Sequence, residues 1–129
     1  MKLEKLWENR NCKTNISTPT LVGNALYTVG TTVGKSSPLA CLDFETGKEL
    51  WSQTGLQDFA SITAVNTKLL VHKSNGELIL VNASPEKYEE LGRAQVCGNT
   101  WASPAYADGV LYLKDGTSVS AIASPPWPK

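Results

Sequence analysis

Residue types that mark catalytic and metal sites are scarce in this chain. Its 129 residues include one histidine and three cysteines, and no two cysteines are adjacent or form a Cys-x-x-Cys pair. A structural zinc site needs about four nitrogen or sulfur ligands, so zinc has no adequate ligand set here. The odd cysteine count leaves at least one thiol free. We expect Cys12, Cys41 and Cys97 to be buried or half-buried thiols rather than a disulfide framework.

Neither an excess of charge nor a long apolar run is present. The 12 Lys and Arg residues balance the 12 Asp and Glu residues, so nucleic acid and anionic membranes are disfavoured as partners. No apolar segment approaches the roughly 20 residues of a membrane-spanning helix, and residues 1–7 lack the apolar centre of a signal peptide. With 41% apolar residues, we expect a globular domain with no membrane span. Its compartment stays unknown, because a signal could have been lost with a missing part of a longer protein.

The main feature that the chain does contain is an internal repeat. Segments 18–27, 61–70 and 103–112 align with their hydroxyl, turn and apolar positions in register, at a spacing of roughly 40 residues. A repeat of this length built from short alternating strands predicts a β-propeller, in which each repeat is a four-stranded antiparallel blade. One blade cannot bury both of its faces alone, so neighbouring blades must stack.

Alternation and turn dipeptides place the strands, and the chain is predicted to be all-β. The first blade is expected over 17–52, the second over 60–94 and the third over 102–123, in one partial propeller domain covering 1–129. The expected strands are 20–22, 26–29, 38–44 and 48–52, then 62–65, 69–72, 77–81 and 88–94, then 105–107, 110–114 and 118–123. Three prolines within 125–128 forbid a ladder strand there, so the third blade lacks its outer strand.

The missing outer strand is predicted at the start of the chain. Lys5-Leu6-Trp7 aligns with Glu49-Leu50-Trp51, so an N-terminal strand over 4–8 is expected to complete the last blade. Three blades cannot close a ring, because closed propellers have about 4 to 8. We therefore expect either a homodimer that closes a six-bladed ring or a piece of a longer chain whose other blades are missing.

One motif connects the repeat to a known family. The segment Cys41-Leu42-Asp43-Phe44-Glu45-Thr46-Gly47-Lys48-Glu49-Leu50-Trp51 resembles the tryptophan-docking motif Ala-x-Asp-x-x-Thr-Gly-x-x-x-Trp, with Cys41 in the Ala position. That motif belongs to the pyrroloquinoline-quinone-like, or quinoprotein-type, propeller repeat. Asp43 is expected to accept turn hydrogen bonds, and Trp51 to pack against the adjacent blade. The second repeat keeps a degraded copy, with Asn82 at the Asp position and Leu91 near the Trp position.

The resemblance implies the C-terminal three-blade portion of a bacterial propeller, in a periplasmic or secreted setting. Quinone-dependent dehydrogenases of this kind use adjacent cysteines, an Asp base, and Glu and Asn ligands for Ca²⁺. This chain has no adjacent cysteines, and Asp43, Asp58, Asp108 and Asp115 mostly lie beside turn glycines or in the docking motif. We therefore assign no catalytic, cofactor-binding or metal-binding residue and expect no cofactor and no enzymatic activity.

The expected function is a non-catalytic scaffold or binding module, with a protein or carbohydrate as ligand. Two alternatives stay open: a fragment of a quinone-dependent dehydrogenase whose cofactor residues lie on missing blades, and a glycan-processing accessory domain.

Three further features are interpreted as structural. Gly30–Ser36 resembles a phosphate loop, but it is one residue short and no helix follows, so it is predicted to be a long loop suited to a blade-specific contact. His72 ends an alternating strand and is interpreted as a structural side chain. Trp101 is expected in the core or between blades, and Trp127 over a blade edge; the alternative is that both belong to an aromatic recognition patch.

Overall fold

The computed structural model describes residues 1–14, 17–30, 37–56 and 59–123. Within these ranges the chain forms eleven strands and no helix, and the strands make three antiparallel sheets. The all-β prediction is therefore confirmed. No helix in the described ranges could span a membrane.

The first sheet contains β1 (Thr20–Val22), β2 (Ala25–Val29), β3 (Ser37–Asp43) and β4 (Glu49–Leu56), in that spatial order. The turn between β3 and β4 is closed by Asp43, whose Oδ1 accepts hydrogen bonds from the Thr46 amide at 2.8 Å and the Glu45 amide at 3.0 Å. These bonds stabilise the charged form and lower the pKa of Asp43. The predicted turn role of Asp43 is confirmed.

The second sheet contains β5 (Ala60–Val65), β6 (Lys68–Lys73), β7 (Glu77–Asn82) and β8 (Glu90–Gln95), again in sequence order. The third contains β9 (Ala105–Ala107), β10 (Val110–Lys114) and β11 (Val119–Ala123), with β10 in the middle. The eleven strands expected between residues 20 and 123 occur within a few residues of their predicted bounds. Among the described residues the third sheet has three strands, and the proline-rich segment 125–128 lies outside those residues.

The sheets stack face to face, with the second between the other two. Leu69 and Val71 of β6 belong to one buried cluster with residues of the first sheet, whereas Leu70 belongs to another with Leu111 and Leu113 of the third. Successive strand residues point to opposite faces, which explains the unbroken apolar run in β6. Burying each such side chain contributes about 1.5–3 kcal/mol, so stacking stabilises all three sheets.

The first strands of consecutive sheets lie near each other. β1 and β2 lie beside β5, and β5 lies beside β9. The hydroxyl of Thr20 in β1 donates to the carbonyl oxygen of Ile62 in β5 at 3.2 Å. The inner edges of the three sheets therefore converge, while β4 and β8 form outer edges of the first and second sheets.

Two tryptophans make the same kind of contact with a sheet that follows them in sequence. The indole N–H of Trp51 donates to the carbonyl oxygen of Ser84 at 2.8 Å, and its ring lies 6.0 Å from Tyr88. The indole N–H of Trp7 donates to the carbonyl oxygen of Phe44 at 3.0 Å. Both acceptors lie in the connection between the third and fourth strands of a sheet. The prediction that Trp51 packs against the adjacent sheet is confirmed.

The N-terminal segment differs from the expectation. Residues 4–8 form no strand, so they do not complete the third sheet within one chain, and that prediction is wrong for the isolated chain. Instead, Trp7 lies over Gly47 of the first sheet, and the side-chain amide of Asn9 donates to the Gly47 carbonyl at 2.8 Å. These contacts hold the segment against the β3–β4 turn, where it has no strand to pair with.

Two glycines allow the Trp7 contact to be tested. Gly23 and Gly47 both have positive φ, at +59° and +72°, so alanine at either position should cost about 1–2 kcal/mol of unfolding free energy. A methyl group at Gly47 would overlap the Trp7 ring, whereas one at Gly23 meets nothing within 4 Å. We expect Gly47→Ala to cost roughly 1–2 kcal/mol more than Gly23→Ala and to increase acrylamide quenching of tryptophan fluorescence.

Urea unfolding of the two variants and the wild type measures this difference. Equal costs with unchanged quenching would contradict the placement of Trp7 over Gly47.

Candidate functional site

Chain topology gathers a set of loops at one end of the sheets. The turn between second and third strands and the connection to the next sheet lie at the same end, because neighbouring strands are antiparallel. Phe59 and residues 74–76, 96–104 and 115–118 lie there and form the upper edge of the molecule. The predicted blade-specific loop at Gly30–Ser36 lies, from position 31 onward, outside the described residues.

Backbone hydrogen bonds link the loops of the upper edge. The Ser74 amide donates to the Phe59 carbonyl at 2.8 Å, and the Thr100 amide donates to the Ser74 carbonyl at 2.9 Å. Gly76, at a φ of +85°, packs so closely on the carbonyls of Cys97 and Gly98 that a Cβ atom would clash with them. The loops therefore share one network and restrain each other.

Asp115 is the side chain that joins the third sheet to this network. Its Oδ2 accepts a hydrogen bond from the Gly98 amide at 2.8 Å, and its Oδ1 accepts from the amides of Thr117 at 2.9 Å and Ser118 at 2.8 Å. These bonds hold the pKa of the carboxyl far below its usual range. The predicted turn role is confirmed, and the link to Gly98 is an additional contact that spans 17 residues of sequence.

The other acids named from the sequence contribute less to the upper edge. Asp108 has a φ of +49° in the β9–β10 turn, so it is also a turn residue, but it lies at the opposite end of the sheet. Asp43 lies in the β3–β4 turn, likewise away from the upper edge. Asp58 lies outside the described residues.

Trp101 is the exposed aromatic residue of the upper edge. Its side chain is 73% exposed, and its ring centroid lies 6.1 Å from that of the buried Phe59. The expectation that Trp101 lies in the core or between sheets is wrong. The residue precedes β9 and therefore lies outside the stacked faces, where Phe59 supports it without enclosing it. Trp127 lies outside the described residues.

An open cavity of about 330 Å³ lies beside Trp101. The hydroxyl of Thr100 donates to the Lys114 carbonyl at 2.6 Å and accepts from the Ala102 amide at 3.0 Å, which fixes the wall. The cavity is lined by Asn99, Thr100, Trp101, Ala102, Lys114, Asp115 and Gly116. The sequence points to Trp101 only as the alternative recognition aromatic and does not predict this cavity, because the cavity walls come from segments that meet only in the folded chain.

His72 and Cys97 form a second contact at this end of the molecule. His72 is buried, and its Nε2 lies 3.4 Å from the Cys97 Sγ. Burial lowers the pKa of His72, while burial and the charge of Asp115 raise the pKa of Cys97. Both shifts favour the neutral imidazole and the neutral thiol, whereas a reactive cysteine needs a lowered pKa. The structural interpretation of His72 agrees with its buried position.

The cysteines are all free, as expected, with Cys41 buried and Cys12 and Cys97 half-buried.

In the part of the chain that the structure describes, no group of three or more His, Cys, Asp or Glu side chains is arranged to hold a metal ion. Charged side chains on the second sheet also pair: Arg93 and Glu90 of β8 form two hydrogen bonds of 2.6 and 2.7 Å, and Lys73 of β6 binds Glu77 of β7 at 2.9 Å.

No family model and no curated protein matches the chain. The cavity beside Trp101 and the rigid upper edge around it are thus the surface features from which a function can be inferred.

The hydrogen bonds of Asp115 predict how stability depends on pH. Its pKa is lowered in the folded chain, so its contribution is fully present above the unfolded value of about 3.9 and is lost progressively as pH falls below it. We expect the stability difference between wild type and Asp115→Asn to be constant above about pH 5 and to shrink toward pH 2.

Denaturant unfolding at several pH values measures this difference. Asp108→Asn makes the same chemical change at a turn whose carboxylate accepts no hydrogen bond from the described residues, and it is the matched control. A difference for Asp115→Asn that stays constant down to pH 2 would contradict the proposed charge-stabilising role.

Proposed function

We propose that the chain is a non-catalytic β-propeller scaffold of the pyrroloquinoline-quinone-like repeat type, which presents its upper edge to a ligand. In this proposal each of the three sheets is a blade. The observation that carries it is the repeated indole contact, in which Trp7 and Trp51 each donate to the β3–β4 or β7–β8 connection of a sheet. This contact repeats the packing expected of the docking motif.

The convergence of β1, β5 and β9 supports the same arrangement. In a propeller, the first strand of every blade lies near the central axis and the fourth lies at the rim. The upper edge then forms part of one face of the ring. Ligands commonly bind to loops held on a rigid framework, and the hydrogen-bonded upper edge has that property.

Ring closure requires more blades than one chain has. In the described part of the chain the third sheet has three strands, and it exposes Tyr112 and Val119, which are 45% and 73% exposed. Trp7 occupies the position on the first sheet that Trp51 occupies on the second sheet. Trp51 reaches its position from the fourth strand of the preceding sheet, so residues 4–8 correspond to such a fourth strand. We infer that residues 4–8 of one copy become the fourth strand of the third sheet in a second copy.

A two-fold pair of chains satisfies both open ends at once. Each copy donates residues 4–8 and receives the same segment from its partner, so neither third sheet keeps an unpaired edge. The resulting ring would have six blades, within the range of about 4 to 8 that closed propellers adopt. The scaffold would then be functional as a homodimer.

Absolute mass by light scattering tests this assembly. We expect the wild type to have twice the chain mass of 13.9 kDa, because two copies close the ring. Removing residues 1–9 should abolish the dimer and leave monomers or aggregates. Removing residues 1–3 alone is the matched control and should leave the mass unchanged.

A folded wild-type monomer at about 100 µM, where a specific homodimer should be populated, would overturn the two-chain ring. A truncated chain that lacks residues 1–9 and still dimerises would overturn the role of the N-terminal strand.

The absence of catalysis is tested separately by adding pyrroloquinoline quinone with Ca²⁺ to the purified protein. We expect no stoichiometric shift of the quinone absorbance, because no group of three or more His, Cys, Asp or Glu side chains among the described residues is arranged to hold Ca²⁺. A one-to-one complex that oxidises an alcohol in the presence of an electron-accepting dye would replace the scaffold proposal with the dehydrogenase alternative.

A further inference from the structure

We propose that the cavity beside Trp101 binds one or two rings of a neutral saccharide. The inference rests on the scaffold function proposed above and specifies its ligand. The cavity volume of about 330 Å³ lies at the lower end of the roughly 300–1,000 Å³ found for small-molecule sites.

Trp101 presents an exposed aromatic face beside the cavity. A tryptophan side chain buries roughly 150–250 Å² when it packs in a core, so 73% exposure leaves a large apolar face in water. Phe59 contacts the ring from one side with an interplanar angle of 39°, which fixes its position without covering it. A pyranose has a flat face of C–H groups that stacks on such a ring through dispersion and weak C–H contacts.

The cavity is also lined by polar side chains, including Asn99 and Asp115. Among the described residues, the side-chain amide of Asn99 makes no hydrogen bond, so it offers both a donor and an acceptor. Within the described residues, Asp115 Oδ2 accepts one hydrogen bond, from the Gly98 amide, which leaves a second lone-pair direction open. A sugar hydroxyl both donates and accepts, so it matches this mixture of groups better than an apolar ligand does.

The charged residues that line the cavity are of opposite sign. Lys114 and Asp115 both line the cavity, and their opposite charges cancel. Neither an anion nor a cation is therefore favoured. Trp101 is the cavity's one aromatic residue, whereas quaternary ammonium groups are held by cages of several rings and proline-rich peptides by aromatic-lined grooves. A neutral polyol is the ligand class that fits these conditions.

The cavity walls are already ordered before a ligand binds. The bonds of Thr100 and Asp115 already fix the walls, so binding orders little of the protein and loses little entropy. Trp101 lies in the connection between β8 and β9 rather than on an exposed outer face of the three-sheet stack.

The test is ligand-observed NMR titration of the full chain with cellotriose, maltotriose and N,N′,N″-triacetylchitotriose. We expect at least one of these neutral trisaccharides to bind in the millimolar range or tighter. Trp101→Ala should weaken that binding at least about tenfold, and Trp101→Phe should weaken it less because a flat ring remains. Phe44→Ala removes another exposed aromatic side chain away from the cavity and should leave binding unchanged.

Two charged or peptide probes complete the design. Trigalacturonic acid and a proline decapeptide should bind more weakly than the best neutral trisaccharide. The proposal is overturned if no neutral trisaccharide binds below about 10 mM, if Trp101→Ala binds like the wild type, or if either of these two probes binds best through Trp101.

Folding of the variants is monitored by circular dichroism. If Trp101→Ala unfolds, saccharide binding by wild type is compared with binding by Trp101→Phe and Trp101→Tyr. Both variants replace the indole with a smaller aromatic ring. The oligomeric state is measured on the same samples. A monomer that binds saccharide would contradict the proposed ring assembly and support the proposed site. A dimer that binds no saccharide would support the assembly and contradict the site.

Discussion

The structure depends on the burial of sheet faces against each other. The second sheet is covered by the first sheet through Leu69 and Val71 and by the third through Leu70. A four-stranded sheet has too little core to be stable alone, so each repeat is stabilised by its neighbours. The indole contacts of Trp7 and Trp51 add directional hydrogen bonds to this otherwise non-directional packing and fix how the sheets are placed.

The upper edge derives its rigidity from the same stacking. Once the sheets are placed, the Phe59, Ser74 and Thr100 backbones come within hydrogen-bond distance, and Asp115 ties the third sheet to Gly98. Trp101 is then held in the open beside a formed cavity. The candidate site thus follows from the repeat, although no single repeat contains it.

Strands could be predicted closely because their signal is local. β1, β9 and β10 have the predicted bounds, since side-chain alternation and the Gly23-Asn24 and Asp108-Gly109 turns lie within a few residues of each other. The exposure of Trp101, the position of Trp7 and the Asp115–Gly98 bond could not be predicted in this way. Each depends on a contact between segments that only the folded chain brings together, such as the 37 residues that separate Trp7 from Phe44.

The central claim is that these sheets are blades of a ring completed by a second copy. Isotope-filtered NMR on a mixture of labelled and unlabelled chains tests it most directly, because it reports only contacts between different chains. The account predicts intermolecular contacts between Leu6 and β11. Well-resolved spectra of the mixture that show no contact between these two segments would contradict it.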